Sequence, residues 1–354
     1  MPSGPTSPVD YDLAVATARR LAPAPPQVSW AEAADVVSEL RGLAVQAEEH
    51  VRTVTALVPP GPVLEATVVD RGGWAAANIE GFRVVLDPIA RKLAEKSPPN
   101  AVAAAVTAKV AGVQMGSILA YLSSKVLGQY EAFTAEGTPG RLLLVAPNLV
   151  EVERRLGVDP HDFRLWVALH EVTHRTQFTA VPWMHDHVRA EIASLLEATS
   201  LDDPAQLVDR LKAVVTGLPR GGSLIELLQT PEQKAVLDRV TAFMSLLEGH
   251  AEHVMDGVGP KVVPSVRHIR KRFDQRRKER GGVLDQLLRR LLGLDLKALQ
   301  YAEGKVFVDT AVRELGMTGF NRVWESPATL PTRTEITAPM DWVRRIDGTP
   351  ALTA

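Results

Sequence analysis

The 354-residue sequence contains no cysteine, which excludes a disulfide framework, a thiolate nucleophile, an iron–sulfur cluster and cysteine-ligated zinc. Any metal must therefore sit mainly on His, Asp or Glu. Net charge is nearly absent too: 40 Lys and Arg against 42 Asp and Glu leave -2, so no global field drives the chain toward nucleic acid or an anionic membrane. Long apolar runs are lacking. Only 101–122 approaches membrane length, and it carries Lys109 and Gln114 among Ala and Gly of weak hydrophobicity, the composition expected of a buried helix in a soluble protein. The Pro- and Ser-rich opening, Met1 to Tyr11, has neither the basic start nor the apolar run of a secretory signal, so a cytoplasmic location without membrane association is expected.

What the chain does have is 45% hydrophobic and 23% charged residues, enough to bury a sizeable core and too apolar for a disordered chain or fibrous repeat. Its length suits one large domain or two ordinary ones. Periodicity predicts helices over 30–57, 74–95, 101–128, 160–178, 187–199, 204–216, 232–256, 264–280, 283–291 and 295–315. Strands are expected at 64–69 and at Arg141 to Ala146, an apolar run bounded by Gly140 and Pro147. Ser97-Pro98-Pro99-Asn100 and the loop from Gly217 to Gly222 read as turns, and the Pro-rich tail from Pro327 is expected to wrap the surface. The domain reading is an N-terminal extension over 1–29, a domain over 30–326 with room for two lobes, and a tail over 327–354.

The informative segment is Leu169-His170-Glu171-Val172-Thr173-His174, an HExxH inside a predicted helix that Asp159 caps and Pro160 opens. Four residues advance a helix by about 400°, so His170 and His174 lie about 40° apart and one turn along, able to share one metal ion. Glu171 lies about 100° to the side, where its carboxylate can take a proton from a water while two imidazoles hold the cation. Phe163, Leu165, Trp166, Val167 and Leu169 make this helix apolar enough to cross the core, and charged groups buried there need partners.

A catalytic zinc site usually takes a third protein ligand. No further His follows at metzincin spacing, which favours an acidic ligand. In Leu246-Leu247-Glu248-Gly249-His250-Ala251-Glu252-His253, Glu248 and Glu252 share one helix face, while His250 and His253 are alternatives on others. A dinuclear carboxylate centre would need a second ExxH, and no other histidine has an acidic residue three positions before it.

With these motifs the sequence resembles the zincin metallopeptidases, and among them the gluzincins, in which a Glu on a second helix completes the site. The resemblance implies a zincin-like fold, α+β and mostly helical, with a small sheet beside the HExxH helix. It points to Glu248 as third ligand of Zn2+, to Glu252 as the carboxylate that orients a ligating His, and to Arg141 to Ala146 as an edge strand that pairs with the substrate backbone. The wider pattern, His170 to Gln177, Glu248 to Asp256 and Asn321-Arg322-Val323-Trp324-Glu325-Ser326-Pro327, is similar to a bacterial family of zinc-dependent hydrolases labelled as associated with deazaflavin coenzyme biosynthesis. The implied activity is a metallopeptidase or related hydrolase acting on a peptide or amide bond, with Glu171 as general base and His253 or Tyr130 as oxyanion donor. The rival reading is a zinc-binding scaffold without turnover.

Three further features stand out. Residues 267–280 hold eight basic side chains against Asp274 and Glu279, a helix face that either pairs with acidic neighbours or meets an anionic partner; nucleic acid is not expected, with few aromatics interleaved. His185 and His187, beside Trp183, are expected at the surface or in a loop. Gly112 and Gly116 form a GxxxG, which in a soluble chain signals close helix packing.

Overall fold

The computed structural model describes residues 7–62, 64–96, 101–134, 140–199, 230–278 and 294–348. The turn expected at 97–100, the helices expected at 204–216 and 283–291 and the loop at 217–222 lie outside the described residues. In chain order the elements are α1 (Tyr11–Leu21), α2 (Trp30–Thr55), β1 (Thr67–Val69), α3 (Arg71–Lys96), α4 (Ala101–Ser123), β2 (Gly128–Glu131), β3 (Arg141–Val145), α5 (Ala146–Leu156), α6 (Pro160–Ala180), α7 (Met184–Thr199), α8 (Pro231–Val258), α9 (Val266–Lys278), α10 (Leu294–Phe320), two 3-10 turns (Asn321–Trp324 and Pro327–Thr329), α11 (Arg333–Thr337) and α12 (Pro339–Asp347). Among the described residues the chain is thus mostly helical with one small sheet, the α+β class expected.

Contacts divide the chain into two units, one of residues 1–182 with 251–294, the other of 183–250 with 295–354. The first unit is built on β3. Strand geometry sends alternate side chains to opposite faces. Leu142 and Leu144 accordingly join a core with α2, α5, α6, α9 and the end of α8, while Leu143 and Val145 join another with α1, α3 and α4. Burial on both faces is why the run Leu-Leu-Leu-Val shows no polar alternation. The sheet order is β1-β3-β2, with β1 parallel and β2 antiparallel to β3. The strand at 141–146, expected at a sheet edge, is therefore central, and among the described residues the edges are β1 and β2. Nothing in a short apolar run distinguishes a central strand from an edge one; the order emerges only when the flanking strands pair.

Residues 9–21, counted with the N-terminal extension on sequence, supply α1 and bury Val9, Tyr11, Ala14 and Ala18. α1 lies on the GxxxG face of α4: a Cβ at Gly112 would stand 2.5 Å from the Asp10 carbonyl oxygen, and one at Gly116 2.4 Å from that of Ala14. The close packing read from those glycines holds. The burial expected for α4 does not. Val102–Ser123 is the one helix among the described residues long and apolar enough to cross a membrane by length and composition, but only 22% of that window is buried. α1 covers the glycine face, and Val102, Val106, Val110 and Val113 on other faces stay exposed.

In the second unit α8 and α10 cross backbone to backbone. A Cβ on Gly249 would meet the Gly304 carbonyl carbon at 2.1 Å, and one on Gly304 the Ser245 carbonyl oxygen at 1.9 Å. Phe307, Phe320 and Trp342 are fully buried around this packing, and the Trp342 indole donates to the Thr329 carbonyl at 2.8 Å. The tail beyond Pro327, expected to wrap the surface, carries 3-10 and α-helical turns and places Trp342 and Ile346 in the core, because each short helix turns one apolar face inward.

The first unit also buries an ion pair. Arg175 of α6 donates to Glu48 of α2 at 2.6 Å, with both side chains 7% exposed, and to the Leu64 carbonyl at 2.9 Å. This is the partner that a charged residue on a core helix requires. Replacing one member of such a pair strands the other charge, so Glu48→Ala is expected to destabilise the protein by about 3–5 kcal/mol, whereas Glu48→Leu with Arg175→Met should cost much less. Urea unfolding of both variants checks this ordering.

Candidate metal centre

The site begins with α6. Asp159 accepts from the Asp162 amide at 2.9 Å and Pro160 occupies the first turn, so the helix starts where the sequence places it. From Leu165 to Gln177 every residue is buried except His170 and His174, which are half-buried. A helix enclosed on nearly all sides reaches the exterior here through two imidazoles. Their Nε2 atoms stand 3.2 Å apart and the rings are nearly perpendicular, at 88°. Two nitrogens each about 2.0–2.1 Å from a tetrahedral ion would lie about 3.3 Å apart, so the pair fits one zinc-sized cation.

Gln177, fully buried one turn further on, lies with Oε1 3.0 Å from His174 Nδ1. Its carbonyl oxygen accepts from an Nδ1–H, which assigns the tautomer that leaves the Nε2 lone pair for a metal. Glu171 is 7% exposed and packs against β2: a Cβ built on Gly128 would fall 2.6 Å from Glu171 Cγ and 2.8 Å from Cδ. The edge strand therefore approaches the carboxylate only because residue 128 has no side chain.

Glu248 rides on α8. Its helix is anchored one to two turns later by Val254 and Met255, which lie in the same core as Leu165, Leu169 and Val172 of α6. Among the described residues one group of three could hold a metal ion: His170, His174 and Glu248, with ligand atoms all within 4.8 Å of one another and each residue half-buried. Two neutral imidazoles and a carboxylate suit Zn2+, which takes N and O ligands without a geometric preference of its own.

The other candidates have the following surroundings. His250, an alternative ligand, is fully buried between Phe320 and Trp324, with ring centroids 5.4 Å from each. His253 stands about 140° round α8 from Glu248, on a different face of the helix. Glu252, one turn after Glu248, meets Arg270 of α9, whose Nη1 lies 3.4 Å from its carboxylate. Tyr130 is on the face of β2 that meets α6; its ring packs on Phe178 at 5.7 Å, and burial pushes its hydroxyl pKa up against the opposing effect of Arg175. His187 packs between Trp183 and Phe243, and burial lowers the pKa of His185 and His187 alike. Sequence reasoning missed Gln177 and Gly128. The first had a readable signal in its i+3 spacing from His174; the second had none, since its partner is 43 residues away.

A family described as zincin-like metallopeptidase matches residues 9–343. A crystal structure from Chloroflexus aurantiacus, of a protein described as a candidate hydrolase with a novel fold, is similar at 34% identity and a TM-score of 0.68 over 97% of this chain and 100% of that one. No curated protein matches. None of these comparisons bears on deazaflavin metabolism.

The Gly128 contact is testable by itself. Gly128→Ala forces Glu171 or β2 to shift and is expected to destabilise the protein by about 1–3 kcal/mol, as overpacking does. Thermal unfolding of this variant beside Gly42→Ala, where nothing lies within 4 Å of the added carbon, separates the clash from the loss of glycine.

Proposed function

The chain belongs to the zincin-like metallopeptidase family, and from that premise we propose that it is a zinc-dependent hydrolase of the gluzincin type, cleaving a peptide or amide bond with Glu171 as general base. The observation that carries this reading is the accessible pair on an enclosed helix: His170 and His174 with Nε2 atoms 3.2 Å apart and Glu248 within reach of both. Three protein ligands leave a fourth position for water or substrate, the pattern of catalytic rather than structural sites. A scaffold whose metal only staples the fold would favour a closed shell of four, and among the described residues the group offers three.

His170, His174 and Glu248 would hold the ion, and Gln177 keeps His174 in the tautomer that ligates. When bound, zinc supplies Lewis acidity to a water and to the carbonyl oxygen under attack. Glu171 takes the proton of the attacking water as its oxygen adds to the carbonyl carbon, then delivers that proton to the leaving nitrogen as the C–N bond breaks. Its burial beside Gly128 fixes the direction from which it acts. β2, an edge strand, lies next to this carboxylate, so an extended substrate would add to the sheet there, with backbone hydrogen bonds presenting the scissile carbonyl. That role passes from the central strand β3 to β2.

Glu171→Gln keeps the size of the side chain and removes the base. Zinc content at the wild-type level is expected, with hydrolysis of a peptide library slowed at least about 100-fold. Unchanged hydrolysis by the zinc-loaded variant would remove Glu171 from the mechanism. Stripping the wild-type protein of metal with a chelator is expected to abolish turnover, and stoichiometric zinc to restore it.

A further inference from the structure

α8 carries Glu248, Glu252 and Asp256 at successive i, i+4 positions, an acidic stripe that begins at the third ligand. Like charges at this spacing repel and destabilise the helix that carries them. The guanidinium of Arg270 meets its last two members. Arg270 of α9 places Nε 2.6 Å from Asp256 Oδ1, Nη1 3.4 Å from Glu252 Oε2 and Nη2 3.3 Å from the Glu252 carbonyl oxygen. The same guanidinium lies 5.9 Å from the ring centroid of Trp166 on α6, and Trp166 is wedged edge-on against Phe273 of α9 at 5.3 Å.

The positions of these partners matter. Trp166 is one helical turn before His170, and Glu252 is one turn after Glu248. A single cation therefore touches both ligand-bearing helices, one turn from the ligand on each. Trp166 is 6% exposed, and the Arg270 side chain is 26% exposed, so the contact is shielded enough to be more than a screened surface pair. An arginine suits this place: its planar fork reaches two carboxylates while its face lies over a ring, whereas a lysine ammonium meets one partner at a time.

Resting on the site reading given above, we propose that Arg270 is a positioning residue for the metal centre, holding the Glu248 helix at the distance from the His170–His174 helix that lets three ligands close on one ion. A positional role and a purely electrostatic one predict opposite signs. If Arg270 acted only through its charge, removing that charge would strengthen cation binding nearby. If it sets the spacing, removal weakens binding.

The test uses the full chain, stripped of metal, with zinc affinity read by competition against a chromophoric chelator. Arg270→Met is expected to bind zinc about tenfold more weakly, in the range that residues supporting metal ligands command, with Arg270→Lys recovering part of the loss. Circular dichroism and the melting temperature of the metal-free forms establish that each variant is folded. Unchanged or tighter binding in folded Arg270→Met overturns the proposal. Should that variant fail to fold, Asp256→Asn removes one anchor of the guanidinium at a more exposed position and is expected to weaken binding about two- to threefold; wild-type affinity there overturns the proposal equally. Glu248→Gln is measured alongside. If it binds zinc as the wild type does, the ligand set itself is wrong, an outcome distinct from the failure of Arg270 alone.

Discussion

Two imidazole nitrogens that face each other at 3.2 Å are held against the repulsion of their lone pairs unless a proton or a cation lies between them. The fold imposes this on His170 and His174. They cannot turn away cheaply, because the backbone that carries them is enclosed from Leu165 to Gln177 and the Gln177 amide holds the far side of one ring. A site on a rigid, packed helix keeps its geometry before any ligand arrives, which is the condition for a metal to bind without reorganising the protein.

The layers of the first unit follow from that helix. Burying α6 requires apolar surface on several sides, which α2, α5, α9 and the Leu142 and Leu144 face of β3 provide. It also requires charge compensation, which Glu48 gives to Arg175. Most of the helix is thus committed to stability, and the half-buried His170 and His174 occupy the narrow arc that remains. β2 borders this arc, and its first residue, Gly128, has to be a glycine: the sheet meets Glu171 at a separation with no room for a methyl group.

The legible parts of the site are those whose geometry is local. HExxH is a statement about one helix face, and its spacing converts directly into an angle. The Asp159-Pro160 start was equally local. Glu248 lies 74 positions beyond His174, so no spacing rule connects them, and only a family pattern on a second helix points to it. Features that depend on which surfaces meet left little trace. Gly-Gln-Tyr-Glu at 128–131 has no apolar run to mark it as a strand, and its role comes from pairing with Leu144 to Arg141. α1 and α5 escaped the periodicity reading for want of length, though Asp10 caps the first and Gly157, at φ 61°, ends the second. α4 shows the converse error. Mean hydropathy reports how apolar a helix is and not which face a neighbour covers, and here the covered face is the glycine one.

This difference in range bears on the proposed centre. The imidazole pair is set within one turn of one helix, so its geometry survives most changes elsewhere in the chain. The proposed third ligand, Glu248, is on α8, whose course depends on tertiary packing: the Gly249 to Gly304 approach beside Glu248, where even a methyl group would collide, and the Val254 and Met255 contacts further along. Two imidazoles alone bind many divalent ions weakly; in the proposed site the carboxylate would complete the set. On the proposed reading, metal affinity should therefore respond to packing along α8 as well as along α6, because a complete site needs a ligand from each helix.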